Sequence, residues 1–202
     1  LQDSSQSEAE SYWVSTDFEP PKWSETLFQS VEGQPHYIND IRQYIPSAKS
    51  GWWQSSTDNV DIEPTSITVI SDEHSSLELK DKTRRKIKVK LSSLQANENV
   101  SLYFSHKERI IAATLNGEDV ALDPSYISDL SWWHWRYYGL PKKGIEISLT
   151  IEGEQEIELK VFAVNWGFSK ELLNNMPSRP ENTMPRFYSY SDAIVLFNQF
   201  KL

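Results

Sequence analysis

Lys86-Ile87-Lys88-Val89-Lys90-Leu91 alternates without a break between lysine and an aliphatic residue. Successive side chains of an extended strand point to opposite faces, so a period of two marks a strand with one wet face and one dry face. Ile145-Glu146-Ile147-Ser148-Leu149-Thr150-Ile151 repeats the pattern behind a Lys143-Gly144 turn. Further strand signals surround these two. Residues 66–70 carry Ile67, Val69 and Ile70, and Leu77 and Leu79 flank Glu78. Val100 to Phe104 follows, then the apolar run Ile110 to Leu115, which ends at Asn116-Gly117, a strong hairpin signal. Val120 and Leu122 restart the pattern, residues 157–164 continue it, and the tail from Ser189 to Leu202 returns to apolar alternation. Turn signals spaced by about 8–12 residues predict an all-β chain, a β-sandwich or jelly-roll-like fold with a few short helical turns.

The first 60 residues read differently. Residues 1–11 are polar and predict a lead-in without fixed structure. Tyr12-Trp13-Val14-Ser15-Thr16 is short and β-prone, and Pro20-Pro21 interrupts any ladder because proline lacks the donor. Trp23, Leu27 and Phe28 share one face of a helical turn over residues 22–28. A second short helix is expected over 36–44, and a polar loop over 55–59 after Trp52-Trp53. Residues 12–60 are thus expected as an irregular, short-helical part packed on the sandwich, with 12–202 forming one domain. His106-Lys107-Glu108 reads as a hairpin turn, Asp123-Pro124-Ser125 as the start of a helical turn, and 165–189 as a traversing loop.

Composition narrows the function classes. A formal net charge of −9 in 202 residues argues against nucleic-acid binding, which needs excess Lys and Arg. Cysteine is absent, so disulfides and thiolate metal sites are excluded. No run approaches the roughly 18 apolar residues of a membrane helix. The chain opens Leu1-Gln2-Asp3-Ser4-Ser5, which reads as a cut end within a longer protein.

Candidate chemistry is sparse. His36, His74, His106 and His134 show no mutual spacing suited to zinc. There is no Gly-x-Ser-x-Gly elbow and no glycine-rich phosphate loop. Glu146, Glu156 and Glu158 alternate with aliphatic residues, as solvated strand faces do. No catalytic, cofactor-binding or metal-binding residue is therefore expected. Two stretches suggest an interaction surface instead. One is the basic run around Arg84, Arg85, Lys86 and Lys88. It reads as lysines that face water and blunt a sheet edge, or as a patch for anionic lipid headgroups or an acidic partner. The other is Trp132-Trp133-His134-Trp135-Arg136-Tyr137-Tyr138-Gly139-Leu140-Pro141. In a strand, Trp133 and Trp135 share one face and Trp132 lies with His134 on the other. Trp133, Trp135, Arg136 and Tyr137 are the candidates there. Eight tryptophans also keep open a carbohydrate-binding module that stacks sugars on exposed rings. A stand-alone hydrolase would need carboxylates converging in a cleft.

Several short motifs, in order along the chain, carry a resemblance. They are Tyr12-Trp13-Val14-Ser15-Thr16-Asp17 with Pro21-Lys22-Trp23-Ser24, then Tyr137-Tyr138-Gly139-Leu140-Pro141 with Gly144-Ile145-Glu146. Met184-Pro185, Ser191-Asp192-Ala193-Ile194-Val195 and the closing Phe200-Lys201-Leu202 complete the set. Together they resemble the C-terminal extracytoplasmic domain of membrane-bound M28-family zinc aminopeptidases. In that family a peptidase domain and a bundle of membrane helices precede this part. The resemblance implies a non-catalytic accessory domain with the peptidase domain of the same polypeptide as its partner. It implies a periplasmic location, tethered to the membrane through the parent protein and close enough for contact with its surface. The family's zinc ligands and catalytic Glu lie in the peptidase domain, and no position here matches them.

Overall fold

The computed structural model describes residues 11–15, 22–28, 36–39, 51–57, 64–77, 82–93, 97–105, 109–122, 132–168, 170–174, 176–184 and 193–202. The expected lead-in at 1–11, apart from Ser11, which opens the first strand, the His106-Lys107-Glu108 turn and the helical turn at 123–130 lie outside these residues. The described part is mostly β, arranged in antiparallel sheets with two short helices. The chain divides into two compact units, Leu1–Ile62 with Phe168–Ser191, and Glu63–Gly167 with Asp192–Leu202.

The first unit carries β1 (Ser11–Ser15), a 3-10 helix (Lys22–Phe28), β2 (His36–Ile38), β3 (Trp52–Thr57) and α1 (Lys170–Asn174). Its sheet runs β1-β3-β2. Two expectations change here. Residues 36–38 form a strand rather than a helix, because His36, Tyr37 and Ile38 pair with Gln54, Trp53 and Trp52. Tyr37 meets Trp53 edge-on at 5.4 Å, and cross-strand aromatic pairs outweigh a weak helical spacing. The polar residues 54–57 continue β3 instead of forming a loop. They sit in the central strand, where Gln54 pairs with both neighbours and Ser55, Ser56 and Thr57 pair with β1, and Gln54 and Ser55 are buried. Arg179 lies over the Trp23 ring at 5.0 Å, and Trp13 meets Phe168 at 6.2 Å.

The second unit is the sandwich. β4 (Ser66–Leu77), β5 (Lys82–Ser92), β7 (Ile110–Leu115), β8 (Glu118–Asp119) and β10 (Ile145–Glu152) form a five-stranded sheet in the order β4-β5-β10-β7-β8. β6 (Asn97–Phe104), β9 (Trp133–Leu140), β11 (Glu158–Trp166) and β12 (Ala193–Lys201) form a four-stranded sheet in the order β12-β11-β6-β9. One apolar cluster joins their inner faces. Ile87, Val89 and Leu91 face it from β5, and Ile147, Leu149 and Ile151 from β10. Val100, Leu102 and Phe104 come from β6, and Leu159, Val161 and Ala163 from β11. Burying each of these Ile, Val, Leu and Phe side chains stabilises by about 1.5–3 kcal/mol. Asn116 and Gly117 both adopt positive φ, at 49° and 90°, as the expected β7–β8 hairpin requires.

The connections are less regular than the strands. β6 and β7 lie in different sheets, so the chain changes sheet between them. It does so again between β9 and β10 and between β10 and β11. Ser105 holds the first departure point: its N–H donates to the Glu158 carbonyl at 2.9 Å, and its Oγ accepts from the Glu158 N–H at 2.8 Å.

Arg85 ties the two sheets together at one end. It shares the inward face with Ile87 and Val89, and its side chain is 10% exposed. Its Nε and one terminal amine donate to the Asp72 carboxylate at 2.8 and 2.7 Å. The other amine donates to the Leu202 carbonyl at 2.9 Å. A guanidinium fork fits this three-way contact, whereas a lysine has a single ammonium. The hydrogen bond from Arg85 holds the Asp72 carboxyl below its usual range, with burial opposing and the Arg85 and His74 charges adding. Replacing Arg85 by Ala is expected to cost about 2–3 kcal/mol in urea unfolding, the scale of a lost charged hydrogen bond in a half-buried site. Trp133→Ala, which empties a ring site in the core, is expected to cost about 3–5 kcal/mol.

Candidate functional site

The four-stranded sheet has an unusual outer face. The registers line up three rows across β9, β6, β11 and β12. The first is His134, Tyr103, Lys160 and Gln199. The second is Arg136, Ser101, Phe162 and Phe197, and the third is Tyr138, Asn99, Val164 and Val195. Along the central strands this face is buried: Ser101 is 1% exposed, Phe162 4% and Val164 0%. Hence β11 reads as an unbroken apolar run from Val161 to Val164, the pattern of a strand buried on both sides.

Polar groups are embedded in this face. Lys160 is 5% exposed, with Nζ 3.6 Å from a Glu158 oxygen and 4.8 Å from the Trp132 ring centre. A desolvated ammonium over an indole face is worth about 2 kcal/mol. Tyr103 stacks on His134 with ring centres 4.4 Å apart and planes 11° from parallel. Burial, reinforced by the charge of Arg136, pushes the His134 imidazole down to about 4. His134 is therefore neutral at pH 7. Its Nε2 and the Asn99 Oδ1 are buried without a hydrogen-bond partner among the described residues. Toward the free edge of β9 the face opens: Arg136 is exposed, with its Nε donating to Ser101 Oγ at 3.3 Å, and Tyr138 is 69% exposed.

The residues singled out in the sequence are thus divided between core and surface. Trp133 is buried and leaves the candidate surface, because its ring packs against Phe104 at 5.3 Å and Trp135 at 6.0 Å. Trp135 and Tyr137 are partly buried against the same core. Of the four, Arg136 alone is open to solvent. Tyr138 was passed over, although the same parity that places Trp132 and His134 outward places it there too. In the basic run, Arg85 also leaves the surface, for the inward clamp described above. Arg84 and Lys86 are exposed, and Lys88 is half-exposed and paired with Glu146 at 2.5 Å. The hydrogen bond from Lys88, with its charge and that of Lys90, holds the Glu146 carboxyl below its usual range. These lysines do not blunt an edge, since β5 lies between β4 and β10. Of the eight tryptophans only Trp166 is exposed, at 46%, so a sugar platform would rest on a single ring. Among the described residues no three His, Asp or Glu side chains gather as a metal ion requires.

What this face leaves open on β9 is the guanidinium of Arg136 and the phenol of Tyr138. The face also carries a pH dependence whose sign is fixed. Between about pH 6.5 and about 4 the unfolded chain binds a proton at His134 that the folded chain does not. Stability contributed there is full above pH 6.5 and falls as the pH drops through this window. Melting curves are expected to show that decline, and His134→Phe, which keeps a ring against Tyr103, is expected to flatten it. The Asp72 contribution is lost only below pH 3.8, so the two are separable.

No family model and no curated protein matches this chain.

Proposed function

We propose that the chain is a non-catalytic accessory domain of a membrane-bound M28-family zinc aminopeptidase, on the extracytoplasmic side of the membrane. In that role it orients or partly covers the peptidase domain, or contacts peptide substrate on its way in. The observation that carries the reading is where the resembling motifs fall. Tyr12 to Ser15 lie in β1, and Lys22-Trp23-Ser24 open the 3-10 helix. Tyr137 to Leu140 close β9, Gly144 holds the turn, and Ile145-Glu146 open β10. Ala193-Ile194-Val195 open β12, and Phe200-Lys201-Leu202 end the chain beside β11. Motifs at strand ends and turns fix an architecture rather than a reaction. That favours a shared scaffold whose chemistry sits in another domain. The surface offered to the peptidase domain is the open edge of β9, with Arg136 and Tyr138.

Two measurements test this. The reading frame encoding the chain is expected to specify a peptidase domain and membrane helices upstream; a frame with neither overturns the reading. The chain itself, supplied with zinc and aminoacyl chromogenic substrates, is expected to show no turnover above the metal alone. Sustained turnover would defeat the non-catalytic role.

A further inference from the structure

The outer face of the five-stranded sheet holds an open concavity of about 650 Å³. It lies within the second unit and on the opposite sheet from the β9 edge. Its rim carries Lys90, Lys142 and Lys143, and its wall carries the hydroxyls of Ser66, Thr68 and Ser92. Among the described residues no carboxylate lines it, although the chain as a whole carries a net charge of −9. The nearest acid in register, Glu146 opposite Lys90, is engaged by Lys88. All three rim lysines are exposed.

The backbone fixes this arrangement. Lys142 and Lys143 form the turn between β9 and β10, closed by the Gly144 N–H donating to the Pro141 carbonyl at 2.7 Å. Gly144 has φ 78°, and a side chain there would strike the Leu91 carbonyl. The turn is therefore seated against the end of β5, which brings its lysines beside Lys90 and Ser92. Ser93 also borders the concavity, but its Oγ is sealed from solvent and makes no contact there.

We propose that this concavity binds a phosphate-bearing molecule. Its three lysines would supply charge to a tetrahedral oxyanion, and the Thr68 hydroxyl and the Ser66–Ser92 hydroxyl pair, 3.0 Å apart, would supply donors. Among the described residues the rim has lysines and no arginine, whose planar fork suits carboxylates, and lysine serves phosphate as a point charge. The volume exceeds that of a bare phosphate, and Ile70, 47% exposed, gives the organic body an apolar wall. The ligand's phosphate belongs either to a soluble ester or to a lipid headgroup. The site stands independently of the accessory-domain role.

The test uses the 202-residue chain. Glycerol 3-phosphate is titrated by calorimetry, with acetate as the carboxylate comparison. Flotation is run with phosphatidylcholine vesicles with and without phosphatidylglycerol. Binding is expected to weaken by about tenfold in the double variant Lys142→Ala, Lys143→Ala, the scale of a lost charge-assisted contact. Lys86→Ala, on the same sheet face outside the concavity, is expected to leave binding unchanged. Melting curves establish that each variant is folded. Binding of the ester assigns a soluble ligand, and binding only to phosphatidylglycerol vesicles assigns a headgroup. Binding of neither, acetate bound as tightly as the ester, or equal loss in Lys86→Ala overturns the site.

Discussion

The dry layer between the two sheets is what the second unit depends on. β5, β6, β10 and β11 contribute alternate residues to it, so half of each of these strands is committed inward before any function is considered. Ile147, Leu149 and Ile151 of β10 meet water nowhere, and neither do Leu159, Val161 and Ala163 of β11. The aromatic rings of β9 extend that layer: Trp133 stacks toward Phe104 and Trp135, and Trp135 and Tyr137 follow the same parity. Rings committed to holding sheets together are not available to hold a ligand. The surface left by this arrangement is polar, cationic in places and shallow.

Arg85 shows how the same constraint treats a charge. Its backbone position directs it into the layer, and burial of an unpaired guanidinium would cost several kcal/mol. The fold meets that cost at the layer's end, where Asp72 and the Leu202 carbonyl supply three acceptors. The pair also fastens the last residue of the chain to the opposite sheet. Lys160 is handled in another way on the far side of the four-stranded sheet, with Glu158 and the Trp132 ring. Both are charges placed by strand parity and then accommodated.

Parity also explains which site residues could be read in advance. Lys86, Lys88 and Lys90 were legible as outward residues from their alternation with Ile87 and Val89. The same rule assigns Arg85 inward, since it sits two residues from Ile87, and groups Tyr138 on one face with Arg136 and His134. What the alternation does not say is which face of β9 is the core. That required the register of β6, which sets Phe104 against Trp133 and Tyr103 against His134. The grouping of Lys90 with Lys142 and Lys143 was likewise out of reach, because 52 residues separate Lys90 from Lys142 and only the seating of the Pro141–Gly144 turn on β5 joins them.

The sequence by itself determined the alternating strands of the sandwich, the hairpin at Asn116-Gly117 and the inward set of aliphatic residues, because periods and turn residues are local properties of the backbone. It did not determine sheet membership. The turns after β6, β9 and β10 look in sequence like hairpin turns, yet the chain crosses to the other sheet at each of them. A turn fixes only that the chain reverses. Which strand it then pairs with depends on which side chains can share a dry interior, and that is decided by contacts between residues far apart in the chain. For the same reason the short strand at His36–Ile38 replaced an expected helix: its partner, Trp52 to Gln54, was supplied by the fold.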